Sequence, residues 1–439
     1  MLSPADTIFS LSSGSLPSGV AIVRVSGMQA DAILAALVRG KPVNAGETGL
    51  RRITDRDGGL IDRGLVLRFP APGSFTGEDV VEFHLHGGKA TVDALLRLLG
   101  TFPRTRQAEA GEFTRRAFIN GRLDLTAAEA LSDLIAAETE MQRRFALQRA
   151  EGAQARLFAE WRARLVHLRS LVEASVDFSD EGDVSDSALE RAFALLDQLG
   201  ADIARHLAAS QPAEIVREGL RVAIIGAPNA GKSSLLNHLA GRDVAIVTEE
   251  AGTTRDVLEV QLDLNGYKIV LLDTAGLRES DSVPEQIGVA RAREVAASAH
   301  LILHLMDGST PEPAEIDLPE TVRRLTIGSK ADIGRFHGSM VDLSVSIRSG
   351  EGIPELVSML AGIAGEAGDA MLSTAPASAR QRQLLETVRD ELDRAAIAPQ
   401  PELVAEHLRL AADALGRMTG EIGTEEVLGA IFANFCIGK

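Results

Sequence analysis

Three textures of apolar and polar positions follow one another along the chain. Up to about residue 118, short β-type runs at Val20 to Val25, Leu65 to Phe69 and Val80 to Leu85 alternate with turn clusters and one amphipathic stretch near Thr91 to Leu99. That mixture predicts an α+β domain over residues 1–118. From Thr126 the period lengthens. Leu131, Leu134 and Ile135, then Leu157, Trp161, Leu165, Leu168 and Val172 keep the spacing of a buried helix face, and Thr126 with Glu129 is expected to form the capping box that opens it. The helical period yields to strand-like runs near residue 218 and resumes from Ala379. Helix on both flanks predicts an all-α bundle domain, 119–217 plus 367–439, interrupted by an inserted α/β domain over 218–366.

The inserted stretch carries chemistry. GAPNAGKS, Gly226 to Ser233, follows the apolar run Val222 to Ile225 and opens the helical pattern SLLNHLAG. Gly226 and Gly231 allow the backbone to curl around an anion with its N–H groups inward, and the following helix adds its positive end. Lys232 is then expected to reach the β- and γ-phosphates and Ser233 to ligate Mg²⁺. Downstream, DTAG at Asp273 to Gly276 ends the apolar run Ile269 to Leu272, setting a carboxylate beside the metal and a Gly N–H by the γ-phosphate. Between them GTTRD, Gly252 to Asp256, offers Thr254 to complete the metal shell, and SKAD, Ser329 to Asp332, offers Asp332 to the N–H edge of guanine. These elements in this order predict a Ras-like P-loop G domain. Two positions depart from the common pattern. Leu277 stands where many such domains have a water-orienting Gln, and Ser329 where Asn is usual, so guanine specificity leans on Asp332.

Composition narrows the setting. At 439 residues the chain exceeds the roughly 250–300 at which single cores stop growing. No apolar run reaches about 18 residues and no basic-then-apolar leader opens the chain, so the expected location is cytoplasmic, without a membrane. The single cysteine, Cys436, excludes an intramolecular disulfide and a cysteine metal cage. The net charge of −17 argues against nonspecific coating of nucleic acid. Locally, seven Arg against two acidic residues between Arg143 and Arg169 read equally well as a solvated helix surface or an RNA-facing one.

GAPNAGKSS, GTTRD, DTAGLRE, GEFTRRAFINGRLDL at Gly111 to Leu125 and the terminal CIGK at Cys436 to Lys439 together resemble the MnmE (TrmE) family of tRNA-modification GTPases, over the whole length. The resemblance implies an N-terminal domain that dimerises and binds a folate, a helical domain and an inserted G domain. It implies a homodimer and a K⁺-dependent GTPase that acts with the FAD- and NADH-dependent partner GidA/MnmG, as a heterotetramer. Together they modify C5 of the wobble uridine of certain tRNAs, using 5,10-methylene- or 5-formyl-tetrahydrofolate. The GTP positions it implies are Asn229, Ala230, Gly231, Lys232, Ser233 and Ser234; Thr248, Glu249, Glu250, Ala251, Gly252, Thr253 and Thr254; Asp273, Thr274, Ala275 and Gly276; and Ser329, Lys330, Asp332, Ser346, Ile347 and Arg348. Mg²⁺ falls to Ser233, Thr254 and Asp273, and K⁺ to Asn229, Thr248, Glu250 and Thr253. The catalytic positions are Lys232, Glu285 as the water-directing acid, with Glu279 its competitor, and Cys436, whose bland alternative is packing beside Phe435 and Ile437. Arg255 competes as an arginine finger, a structural ion pair being the better fit. Arg24, Glu82, Arg122 and Lys439 are the implied folate positions, Arg122 standing where the family often has Lys. Read without the resemblance, Glu82, His84 and His86 alternate along one strand as a zinc site would. A GTP-regulated ribosome or RNA assembly factor without base chemistry is the rival that the G-domain motifs alone leave open.

Overall fold

A computed structural model of the chain describes residues 6–40, 42–177, 182–241, 246, 258–273, 293–309, 319, 321–334, 336, 340–366, 374–422, 432, 435 and 438. The chain divides into two compact units, residues 1–132 with 416–439, and residues 133–415.

The first unit is built on a six-stranded sheet of β1 (Thr7–Leu11), β2 (Ser18–Ser26), β3 (Leu50–Thr54), β4 (Leu60–Phe69), β5 (Val80–Gly87) and β6 (Thr105–Gln107), in the order β3-β4-β5-β2-β1-β6. All neighbours are antiparallel except β1 and β6. Period-two alternation sends Val23, Val25, Val66, Val81 and Phe83 into a core closed by α1 (Ala30–Leu37) and α2 (Lys89–Leu99). The opposite face carries a row of Ser10, Arg24, Glu82 and Leu67 in register, with His84 and Leu65 in the next row. Beyond β6, α3 (Glu112–Ile119) adds Phe113 to a cluster with Ile8 and Ala108.

The GEFTRRAF string explains itself here. Glu112, 4% exposed, accepts from Arg106 Nη2 at 2.6 Å, Arg116 Nη2 at 3.1 Å and Glu109 N at 3.0 Å. Arg116 Nη1 also donates to both Glu78 oxygens at 3.0 Å, so a buried ion network ties α3 to the loop before β5. Burial alone would raise the Glu112 carboxyl, yet the Arg106, Glu109 and Arg116 hydrogen bonds hold it below the usual range.

The start of α4 (Leu125–Ile135) corrects the expected capping box. Asp124 Oδ1 accepts from Ala127 N at 2.9 Å and from Thr126 Oγ1 at 2.5 Å, so Asp124 is the cap, and Thr126 is already inside the helix. The helix starts two residues earlier than the Thr126–Glu129 spacing suggests, so the carboxylate of Asp124 takes the first orphan N–H.

In the second unit, α5 (Glu140–Ala150), α6 (Ala153–Asp177), α7 (Gly182–Ala208) and α8 (Ser210–Glu218) precede a second sheet. The α6 row predicted from spacing is fully buried at Trp161, Leu165, Leu168 and Val172. The real capping box sits on α5, where Thr139 and Gln142 cap reciprocally. The basic run is largely paired: Arg143 and Arg144 to Glu140, Arg149 to Asp133, Arg164 to Asp202 and Arg169 to Glu173.

The second sheet has the order β12-β11-β10-β7-β9-β8, from β7 (Leu220–Gly226), β8 (Leu258–Leu264), β9 (Tyr267–Asp273), β10 (Leu301–Asp307), β11 (Arg323–Ser329) and β12 (Leu343–Ser344). Only β8 runs antiparallel. Continuous apolar strands, Val222 to Ile225 and Leu301 to Leu305, mark a parallel sheet buried on both faces. Helices α9 (Lys232–Ala240) and α10 (Ile353–Gly365) pack on one of them, and α11 (Ala379–Ile397) and α12 (Pro401–Thr419) follow. Side chains from α4, α5 and α6 grip the chain where it enters and leaves this sheet: Arg217 Nε donates to Asp133 Oδ1 at 2.8 Å, Arg217 Nη1 to Ala377 O at 3.4 Å, Gln142 Nε2 to Arg217 O at 2.7 Å and Gln154 Nε2 to Ala375 O at 3.0 Å. Among the described residues no helix is long and apolar enough to cross a membrane.

Candidate functional site

Strand β7 lies at the point where the sheet order reverses, with β9 on one side and β10 on the other, so a crevice opens beyond its carboxyl end. GAPNAGKS occupies that crevice. Asn229 has φ +67° and Gly231 φ +93°, left-handed conformations that turn successive N–H groups into a concave nest. A Cβ on Gly226 would collide with the Leu305 carbonyl, so the loop can leave β7 this close to β10 only as glycine. Lys232 Nζ folds over the loop onto Gly226 O and Ala227 O, 2.9 Å from each. Asn229, Ser233 and Ser234 are exposed around the nest and Ala230 is buried beneath it.

The SKAD segment, expected from sequence to read the base, sits at the end of β11. Ser329, 2% exposed, has its Oγ 2.7 Å from Ala230 O and 3.1 Å from Met306 O. The shorter side chain that stands in for Asn therefore fastens this loop to the phosphate loop. Lys330 lies at φ +56°. Asp332 is exposed and its Oδ1 accepts from the buried Ser346 Oγ at 2.8 Å, while Ala331 N donates to Val345 O at 3.1 Å. Ile347 is half-buried and Arg348 exposed next to it. Asp273 closes β9 opposite Ile224 of β7, at the same end of the sheet as the phosphate loop.

Thr248, Glu249, Glu250, Ala251, Gly252, Thr253, Thr254, Arg255, Thr274, Ala275, Gly276, Leu277, Glu279, Glu285, Cys436 and Lys439 lie outside the described residues.

On the open face of the first sheet, Arg24 Nε donates to Glu82 Oε1 at 2.9 Å, and His84 Nε2 lies 3.3 Å from Glu82 Oε2. The Arg24 guanidinium stands 5.7 Å from the Phe75 ring centroid and 5.5 Å from that of Phe113. Arg122 is exposed and packs by Gly77 of the same loop as Phe75. It also lines an open groove of about 600 Å³ with Asp124 and Glu421. Ser12 Oγ donates to Gly438 O at 2.7 Å, which places Gly438 of the CIGK string against the residue that follows β1. His86 turns away to Asp62, Nδ1 to Oδ1 2.9 Å, and among the described residues no group of three or more metal ligands gathers. The zinc reading loses its third ligand there. Phe75, Phe113 and Gly438 were not singled out from sequence, because their place depends on loops that only the fold brings together.

A nest of N–H groups with an adjacent Lys, and a base loop latched to it from two strands away on a mostly parallel sheet, define a P-loop GTP hydrolase. The MnmE helical domain matches residues 125–436, and the N-terminus of the GTP-binding protein TrmE matches residues 7–122. The chain is 49% identical to the tRNA modification GTPase MnmE of Brucella melitensis over 436 residues, 99% of this chain and 98% of that one. It is 50% identical to the protein of the same name from Brucella anthropi over 437 residues, with the same coverage. Over 32% of its length it is similar to Aquifex aeolicus Era bound to GDP and aluminium fluoride, at 27% identity and TM-score 0.25, covering 56% of that chain. The chain belongs to the MnmE family of tRNA modification GTPases.

Proposed function

We propose that this chain is a K⁺-dependent GTPase that, as a homodimer and with a FAD-dependent partner of the GidA/MnmG kind, modifies C5 of the wobble uridine of tRNA with a one-carbon unit from tetrahydrofolate. The observation that carries the GTP half is the phosphate nest: Asn229 and Gly231 in left-handed conformation, with Lys232 folded onto two carbonyls of the loop, Gly226 O and Ala227 O. Mg²⁺ fits Ser233, Thr254 and Asp273, hydroxyl and carboxylate oxygens being the ligands a hard cation takes, and supplies charge neutralisation at the phosphates. K⁺ fits Asn229 with the 248–253 stretch and stands in for an arginine finger, which the apolar Leu277 makes necessary. Lys232 holds the phosphate oxygens and Glu285 directs the water. Guanine is read by Asp332, oriented through Ser346, with Lys330, Ile347 and Arg348 around the base.

The folate half rests on the pairing of Glu82 with Arg24, both still partly exposed, on the sheet face opposite the α1–α2 core. A carboxylate suits the N–H edge of a pterin, and Arg24, Arg122 and Lys439 suit glutamyl carboxylates. An assembly factor has no use for that arrangement. Cys436, in the CIGK string, is a candidate group of the modification reaction.

GTP turnover in KCl against NaCl at equal ionic strength, with Mg²⁺, tests the reading. Marked acceleration by K⁺, lost in Asn229→Ala, is expected; equal rates in both salts overturn the cation-dependent mechanism. Equilibrium binding of 5-formyl-tetrahydrofolate to the full chain, abolished by Arg24→Ala, is the parallel expectation for the first unit.

A further inference from the structure

The string Asp307–Ser309 closes β10 and belongs to none of the recognised nucleotide segments. Its register nonetheless places Asp307 opposite Ser329 of the base loop. Gly308 N donates to Ser329 O at 3.0 Å, and a Cβ on Gly308 would come within 2.7 Å of that oxygen, so only glycine lets the two segments approach this closely. The Asp307 side chain is 10% exposed and its carboxylate is bonded on both oxygens in the same corner: Oδ2 accepts from Lys330 Nζ at 2.6 Å, and Oδ1 from Ser309 N at 2.9 Å and Ser309 Oγ at 2.6 Å. Lys330 itself lies at φ +56°, a conformation costly for a side chain with a Cβ, and its carbonyl is occupied by Ile333 N at 3.0 Å and Gly334 N at 3.1 Å.

We propose that Asp307 is a positioning residue of the base site: by holding the Lys330 ammonium it fixes the four-carbon stem of that side chain beside the guanine that Asp332 reads. This rests on the assignment of Ser329–Asp332 to the base. The pair has one partner a third exposed, so its contribution to fold stability is small, and its effect falls on where Lys330 points. With the ammonium neutralised at its far end, the stem offers apolar surface to a flat base, as long cationic side chains do along apolar surfaces. Burial alone would raise the Asp307 carboxyl, but the bonds from Lys330 and Ser309 keep it below the usual carboxylate range, so the carboxylate stays ionised at neutral pH.

The test is affinity of the full chain for a fluorescent GDP, with thermal melts to establish folding. Asp307→Asn is expected to bind about tenfold more weakly, the size of a coupling between contacting charged residues. Asp307→Glu recovers most of that loss. In a Lys330→Ala background the same Asp307→Asn change has no further effect, because its only route to the base is gone. Wild-type affinity in folded Asp307→Asn, or losses that add fully in the double variant, overturns the proposal. Should Asp307→Asn not fold, Lys330→Gln breaks the same pair from its exposed end and is held to the same loss. Asp332→Asn separates the two layers: if it leaves GDP affinity intact the base assignment fails and Asp307 with it, whereas a weakened Asp332→Asn beside an unaffected Asp307→Asn sinks only the positioning role.

Discussion

Ser329 illustrates how little of a residue's work its type discloses. From sequence it reads as a loss, a hydroxyl that lacks the amide of Asn. In the structure the hydroxyl is buried between Ala230 O and Met306 O, so what survives the replacement is the latch between base loop and phosphate loop. Ser329→Ala removes the one O–H donor, which serves the nearer Ala230 O, and is expected to lower unfolding free energy by about 1–2 kcal/mol. Guanidinium denaturation checks that figure. The same variant should weaken GDP more than GMP, since a slack phosphate loop penalises the nucleotide with more phosphates. Equal weakening of both would assign Ser329 to the base instead. The expectation for Asp332 comes from sequence alone, a carboxylate in SKAD after an apolar run, and the structure adds the hydrogen bond it accepts from Ser346. Asp307 was not legible there, because its partner Lys330 is brought to it by strand pairing alone.

At the scale of single elements, period decided what could be read. The buried row of α6 was plain because Trp161, Leu165, Leu168 and Val172 repeat at helical spacing. The α4 cap was misassigned because Asp124 and Thr126 both satisfy the local rule, and the choice between them is a matter of which oxygen reaches Ala127 N. Ion pairs such as Arg149 to Asp133 and Arg164 to Asp202 were illegible, their partners lying 16 and 38 positions away. Helix α3 gives the sharpest test at this scale. Its Glu112 carboxyl is held below the 4.5 of a free glutamate, so it binds protons less readily folded than unfolded. Its stabilisation is complete above that pH and is lost as pH falls through the lower, folded value. Glu112→Gln is expected to be less stable than the natural chain by about 3 kcal/mol at pH 7. That gap should close below pH 4.5, and a pH series of urea melts will show whether it does.

For the whole molecule, sequence texture gave strand-rich, helical and nucleotide-binding stretches in their right order, yet gave no sign of which distant segments meet. The clearest case is the C-terminus. Gly438, at φ +101°, lies so close to the Leu11 carbonyl that a Cβ would collide with it, and Ser12 holds its carbonyl, so this glycine belongs with the first strand. Gly438→Ala should dislodge it. The expected result is loss of tetrahydrofolate binding with GTP turnover kept, and retention of folate binding would show that Lys439 is no part of that site. The crossing at Arg217 and Ala377 has a different consequence. These residues are 160 positions apart along the chain and touch through a single hydrogen bond, so the polypeptide departs for the nucleotide-binding sheet and returns through one doorway. A module hung on such a doorway can be lengthened, exchanged or removed without re-threading the helices around it.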